Sequence, residues 1–150
     1  MVNATNIVYS ISATAQILGV AKEAIRSFQV WGSCVWVWVK GSRPRFLSFK
    51  LYRAFFVDRR KRDAEGLQVF KSVMVGGYIV RNPQRDSKYI CTPYHNRIEC
   101  SCEDFKNQVA FNPLGLSRPV ACCKHVYATL VHLGYTSLRE YIIAQAQIAA

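Results

Sequence analysis

The motif Cys100-Ser101-Cys102, followed after a long interval by Cys123-Lys124-His125, decides the fold that we predict for this chain. Three thiols and one imidazole are the donor set of a closed tetrahedral zinc site. Side chains two positions apart on a strand point to the same face, so Cys100 and Cys102 can bind one ion without bending the backbone. The first pair is therefore expected on a strand.

The second pair is expected where a helix begins. Apolar residues recur after it at helical intervals, namely at Val126, Leu130, Val131 and Leu133. This pattern places Cys123 just before the helix and His125 in its first turn. The sequence thus predicts one zinc ion bound by Cys100, Cys102, Cys123 and His125.

Other cysteines leave alternatives open. Cys122 adjoins the motif, but only Cys123 completes Cys-x-His, and we prefer it as the ligand. Cys34 and Cys91 lie in apolar, strand-like runs and are expected in the core, with Cys91 as a minor alternative ligand. Buried cysteines and a core histidine are the alternative to a metal site, and two paired motifs in the right order argue against it.

This arrangement resembles the SWIM zinc finger, whose signature is CxC, a variable insert and CxH. The similarity covers about the last half of the chain and is carried by Cys100-Ser-Cys-Glu-Asp-Phe105 and Cys123-Lys-His-Val-Tyr-Ala128. It implies contacts with DNA or protein. A zinc ion with four protein ligands has no open position, so we expect a structural ion and no enzymatic activity.

Composition narrows the class of protein. The chain has 150 residues, 51% of them hydrophobic, which is enough for a core. We see no transmembrane run and no signal peptide, and six cysteines without an export signal indicate reduced thiols. A cytoplasmic protein with no membrane partner and no small-molecule substrate is expected.

Positive charge is concentrated in the first part of the chain. The net charge is +11, and residues 1–62 hold 11 Lys and Arg against two acidic residues, a net charge of +9. Such a distribution favours a polyanionic partner, most often nucleic acid. A solvated basic surface or weak attraction to anionic lipid is the plainer alternative.

Residues 12–28 predict a helix-turn-helix. Ser12 is expected to cap a first helix, Gly19 to supply the turn, and residues 21–28 to form a second helix. The alternating segment 35–40 and the return at Phe46 then predict a hairpin with a basic turn. The pattern resembles MerR-like and excisionase-like winged helices, which implies duplex DNA binding.

The candidate nucleic-acid contacts follow from that arrangement. Lys22 and Arg26, four residues apart, would share one face of the second helix. Because Ala21 and Ala24 lie in the same helix, it would have few hydrogen-bonding side chains to contact base edges. The remaining candidates are basic residues of the hairpin turn and of a charge run: Lys40, Arg43, Arg45, Arg59, Arg60, Lys61 and Arg62. Such runs are also common as solvated helix ends.

Ser48 is expected to cap a helix with the apolar stripe Leu51, Tyr52, Phe55 and Phe56, which we interpret as core. The charge run at its end marks the boundary that we predict between residues 1–62 and 63–150.

After the boundary, three short antiparallel strands are expected to lead to the CxC pair. Residues 103–121, with Pro113, Gly115 and Pro119, are interpreted as a partly ordered loop. Ser137 and Glu140 have the spacing of a capping box before a last helix.

The predicted fold class is α+β, with a winged-helix-like helical part, residues 1–62, followed by a β-hairpin and helix that bind zinc, residues 63–150. The predicted function is non-enzymatic nucleic-acid binding, to duplex DNA, in regulation or recombination. The alternative is an adaptor whose zinc domain docks a recombinase, a transposase or a polymerase.

Overall fold

The computed structural model of the protein describes residues 7–111 and 121–150. The chain divides between Arg59 and Arg60 into an N-terminal unit and a C-terminal unit. Both contain helices and an antiparallel sheet, so the α+β class is confirmed. Among the helices of the described residues, none combines the length and apolarity needed to cross a bilayer.

The N-terminal unit contains a three-stranded antiparallel sheet in the order β1-β2-β3. Its elements are α1 (Ile11–Leu18), a 3-10 turn (Lys22–Ala24), β1 (Ile25–Val30), β2 (Cys34–Val39), β3 (Arg45–Ser48) and the start of α2 (Phe49–Ala64).

The predicted hairpin is confirmed, because β2 pairs with β3 over residues 34–37 and 45–48. The predicted second helix is wrong. Residues 25–30 form β1, which pairs with β2 from Ile25↔Val39 to Val30↔Val35. Only the short 3-10 turn lies between α1 and this strand, so the N-terminal unit shows no winged-helix topology.

Helix α1 begins two residues earlier than predicted. Ser10, not Ser12, is its N-cap, and the Ser10 hydroxyl accepts a hydrogen bond from the Ala13 N–H at 3.0 Å. Gly19 ends the helix with φ at 67°, a left-handed conformation that glycine adopts without strain. The turn predicted at Gly19 is therefore confirmed.

The core of the N-terminal unit lies on one face of its sheet. Val35, Val37 and Val39 of β2 are buried together with Tyr52 of α2. The Tyr52 hydroxyl lies 2.6 Å from the hydroxyl of buried Thr14, which satisfies both polar groups. The Ser48 hydroxyl accepts from the Leu51 N–H as predicted, whereas Leu51 itself is exposed and only part of the expected stripe is core.

The C-terminal unit is built on a four-stranded antiparallel sheet in the order β4-β5-β6-β7. The strands are β4 (Gln68–Ser72), β5 (Gly77–Asn82), β6 (Ser87–Pro93) and β7 (Ile98–Cys100), and the helices are α3 (Glu103–Phe111), α4 (Lys124–Leu133) and α5 (Leu138–Ala149).

The insert between the two ligand pairs differs from the prediction. Residues 103–111 form helix α3 rather than a loop, and Glu103 and Asp104 in its first turn favour a helix N-terminus. Pro113, Gly115 and Pro119 lie outside the described residues. The last helix begins as predicted, with the Glu140 N–H donating to the Ser137 hydroxyl at 3.1 Å.

Candidate metal centre

The fold brings the four predicted ligands together. The sulfur atoms of Cys100, Cys102 and Cys123 and a ring nitrogen of His125 lie within 4.8 Å of one another, and all four residues are buried. Zn–S bonds of about 2.3 Å would place tetrahedral sulfurs about 3.8 Å apart, and a sulfur and a nitrogen about 3.6 Å apart. The Cys123 Sγ to His125 Nδ1 distance is 3.7 Å. The cluster can therefore hold a metal ion such as zinc.

Each ligand pair is positioned by a different element. Cys100 is the last residue of β7, but Cys102 lies beyond the strand and directly precedes α3, so the expectation of a shared strand is corrected. Ser101 still bonds to β6, its N–H donating to the Ile90 carbonyl at 3.0 Å, and the chain bends at Cys102. The Phe105 N–H of α3 donates to the Cys102 sulfur at 3.3 Å. Such N–H groups stabilise a thiolate.

The second pair lies where it was predicted. Cys123 is the N-cap of α4 and His125 lies in the first turn. The amino ends of α3 and α4 thus both meet the cluster, and the positive end of a helix dipole favours thiolate ligands. The ring of Tyr89, on β6, covers His125 with a centroid distance of 4.5 Å.

The protonation of the cluster follows from hydrogen bonds among its thiols. Donation by Cys100 and Cys123 holds the pKa of Cys102 well below its ordinary value. The bond with Cys102 raises the pKa of Cys100, and the bonds with Cys100 and Cys102, together with burial, raise the pKa of Cys123. A divalent cation would displace the protons that these two thiols retain, so metal binding releases protons and weakens in acid.

Cys122 lies outside the cluster. Its thiol is buried, burial raises the pKa of that thiol to about 12, and its sulfur is not among the ligand atoms that lie within 4.8 Å of one another. Its backbone is held by the Gln108 side chain, which accepts from the Cys122 N–H at 3.0 Å and donates to its carbonyl at 3.3 Å. Gln108 therefore connects α3 to the chain that delivers Cys123.

Cys91 is a close neighbour of the ligands. It is fully buried on β6 directly opposite Cys100 on β7, and its thiol is one of the neighbouring groups that raise the pKa of Cys100. The backbone of β6 also lies close to the backbone of β5 at Gly77. A Cβ atom at that position would lie 2.5 Å from the Cys91 carbonyl oxygen. His132 instead packs against Tyr78, outside the cluster.

A cleft of about 290 Å³ reaches the cluster from one side. It is bordered by Cys102 and His125 and by the polar side chains of Asn82, Ser87 and Lys124. Two of the four ligands therefore face a polar opening, which provides an entry path for an ion.

The predicted nucleic-acid residues occupy several elements. Lys22 lies in the 3-10 turn and Arg26 on β1, so the expected shared helix face does not exist. Exposed positions are occupied by Lys22, Arg26, Lys40, Arg43, Arg45, Arg59, Lys61 and Arg62.

Arg60 serves a structural contact in the C-terminal unit. Its guanidinium donates to both carboxylate oxygens of Asp104, at 2.9 and 2.7 Å, and its side chain is only 12% exposed. Lys61 lies 5.7 Å above the ring of Tyr127. Sequence spacing contained no signal for these contacts or for Gln108, because each joins residues that are distant in the sequence, and Asp104 and Gln108 lie in a helix that was predicted as a loop.

Comparison with known proteins yields no relative: no protein-family model, no curated protein and no solved structure matches this chain.

Proposed function

We propose that the chain is a non-enzymatic nucleic-acid-binding protein whose C-terminal unit is a SWIM-type module stabilised by zinc. The observation that carries the proposal is the exposed basic charge of the N-terminal unit. Every Lys and Arg between residues 7 and 59 is exposed, against the acidic side chains of Glu23 and Asp58 alone. Such a surface attracts phosphate and releases counterions on binding.

The zinc ion would have a structural role. Three thiolates and an imidazole complete its coordination, and the ligands join β7, α3 and α4 around one point. When bound, the ion supplies a cross-link between elements that are distant in sequence. The chain's own contribution is to hold the thiolates, through the Phe105 N–H and two helix termini, and to limit water around them.

The test is fluorescence anisotropy of the zinc-loaded protein with single-stranded DNA, RNA and random duplex over a salt series. Binding should weaken steeply as salt rises. Changing both Arg43 and Arg45 to alanine should lower the affinity and reduce the salt slope by roughly 1.4–1.8, since each lost phosphate contact contributes about 0.7–0.9.

A matched control removes the same charge elsewhere. Lys106 and Arg139 are exposed in the C-terminal unit, and changing both to alanine should leave the salt slope nearly unchanged. Absence of binding to all three nucleic acids at low salt would refute the proposal.

An apolar cavity supports a second candidate function, an adaptor for a DNA-processing protein such as a recombinase, a transposase or a polymerase. The cavity, of about 420 Å³, lies in the C-terminal unit between the end of α2 and α4 and is bordered by Leu67, Tyr127, Val131 and Tyr135. Docking of an apolar segment there would be insensitive to salt, which separates it from phosphate binding.

A further inference from the structure

The outer face of the N-terminal sheet carries a group of aromatic side chains. Strand β2 alternates, with its valines buried on the inner face, so Trp36 and Trp38 point outward. Phe46 lies on β3 opposite Trp36, and Trp31 follows the end of β1. We call Trp31, Trp36, Trp38 and Phe46 the aromatic face.

These rings are largely open to solvent. Trp31 is 47%, Trp38 43% and Phe46 58% exposed, while Trp36 is half-buried. Several large aromatic rings on one side of one small sheet form a contiguous apolar surface, which single scattered surface residues do not. Such a surface is typical of a binding site.

The rings are also held in fixed positions. The Trp31 indole N–H donates to the Gln29 side chain, and that of Trp38 to the Ser42 carbonyl, each at 3.1 Å. Trp31 and Phe46 make an edge-to-face contact with centroids 5.1 Å apart. The polar tips are thus satisfied within the protein and the ring surfaces are ordered before a ligand arrives, which lowers the entropic cost of binding.

Positive charge borders the aromatic face at one end. The Trp38 hydrogen bond ties its ring to the β2–β3 turn, which carries Lys40 and Arg43. Both cations are exposed, and neither forms an ion pair with an acidic side chain among the described residues. A ligand that fits both features has flat rings and regularly spaced negative charges.

We infer that the aromatic face binds single-stranded nucleic acid, with unpaired bases stacked on Trp31, Trp36, Trp38 and Phe46 and phosphates contacting Lys40 and Arg43. The inference rests on the proposed nucleic-acid-binding function and names its substrate class. Every base offers a ring surface, so stacking tolerates sequence, and aromatic rings on a sheet are a common platform for it.

Single strands are favoured over duplex for a geometric reason. In a duplex both faces of each base are covered by neighbouring pairs, so a sheet surface cannot stack on them. The helix that would enter a major groove is absent from residues 7–59, where β1 takes its place.

The chain provides its own reporter for the test. It contains three tryptophans, and all of them lie on the aromatic face. Titration of the zinc-loaded protein with oligothymidylate or oligouridylate should quench tryptophan fluorescence as bases stack. A duplex of equal length should produce little quenching, and comparison of the two oligomers distinguishes DNA from RNA.

Substitutions assign the effect to individual rings. Trp38→Ala and Phe46→Ala should each weaken single-strand binding by about 5- to 150-fold, the range for loss of one stacked base. Trp38→Phe should retain most of the affinity because a ring remains. Phe70→Ala is the matched control, since Phe70 is 51% exposed on β4 of the C-terminal unit and should leave binding unchanged.

The outcomes separate this inference from the proposed function. Salt-dependent binding without quenching, equal in wild type and Trp38→Ala, would overturn stacking while leaving phosphate binding intact. Stronger affinity for duplex than for single strands would also overturn it. If the protein bound no nucleic acid, both the stacking inference and the proposed function would be refuted. The aromatic face would then be expected to bind a protein. Thermal melts of each variant, monitored by circular dichroism, verify that the fold is retained.

Discussion

The two units of this protein use polar and aromatic residues in opposite ways. The N-terminal unit buries valines and displays its cations and tryptophans. The C-terminal unit buries its thiols, His125 and Gln108, and pairs Arg60, Arg81 and Arg97 with carboxylates. Groups that face water are available to a partner, whereas buried ones must find partners within the chain. This difference is why we propose that the N-terminal unit binds a partner and that internal contacts stabilise the C-terminal unit.

Substitution of a predicted metal ligand is expected to have the largest effect on stability, because the C-terminal unit is built around the buried cluster. Cys123→Ser or Cys102→Ser should abolish stable zinc binding and cooperative folding of the C-terminal unit, a loss on the order of 10 kcal/mol. Zinc content by mass spectrometry and thermal melting by circular dichroism measure both.

The neighbouring cysteine is the control for that experiment. Cys122→Ser, at an equally buried position outside the cluster, should retain one zinc ion. One tightly bound zinc ion in Cys102→Ser or Cys123→Ser would contradict the ligand assignment, and loss of the ion only in Cys122→Ser would reverse it.

A smaller effect is expected at Gln108. Gln108→Leu preserves volume but leaves the buried N–H and carbonyl of Cys122 without partners, so the free energy of unfolding should fall by about 2–4 kcal/mol. Urea denaturation measures the change. Lys106→Leu, at an exposed position of α3, should change it little, and equal effects of the two substitutions would show that the Gln108 contact is unimportant.

Two arginines of helix α2 allow the stability contributed by a paired charge to be compared with that of an exposed charge. Arg60→Ala removes a bidentate, largely buried contact with Asp104 and should cost about 1–3 kcal/mol of stability. Arg62 is exposed in the same helix, and Arg62→Ala should leave stability nearly unchanged. Urea midpoints of the two variants test this; a larger loss in Arg62→Ala would refute the structural role of Arg60.

The smallest effect concerns pH. Hydrogen bonds from the Thr136 N–H and hydroxyl, both 2.7 Å, lower the pKa of Glu140 from its ordinary 4.5. A carboxyl group whose folded pKa is depressed stabilises the protein above its unfolded pKa, and this stabilisation is lost as pH falls through the folded value.

Glu140→Gln should therefore lower the melting temperature slightly at pH 7 and not at a pH below the folded pKa. Melts of wild type and variant over a pH series measure the difference. An effect of the substitution that is independent of pH would contradict this origin.

Local sequence signals predicted several features correctly. Cys123 as a helix N-cap, the β2–β3 hairpin, the turn at Gly19 and the Ser137 cap all depend on a few adjacent residues, and each was confirmed. Capping and turn chemistry act over three or four positions, so they can be read before the fold is known.

The sequence-based prediction failed where contacts between residues distant in the sequence determine the secondary structure. Residues 21–28 begin with Ala, Lys and Glu, which favour a helix, yet residues 25–30 pair with β2 because the hydrogen bonds and buried face of a sheet outweigh a weak local preference. Helix α3 was missed because the prolines and glycine farther along the insert indicated a loop.

The sequence alone therefore determined the ligand set and the uneven distribution of charge, since both are properties of residue type and spacing. Only the tertiary structure decided that Cys102 lies at a helix start, that Gln108 holds Cys122 and that Trp31 and Trp38 are exposed. Burial and exposure depend on which segments pack together, and packing is a property of the whole chain rather than of any single segment.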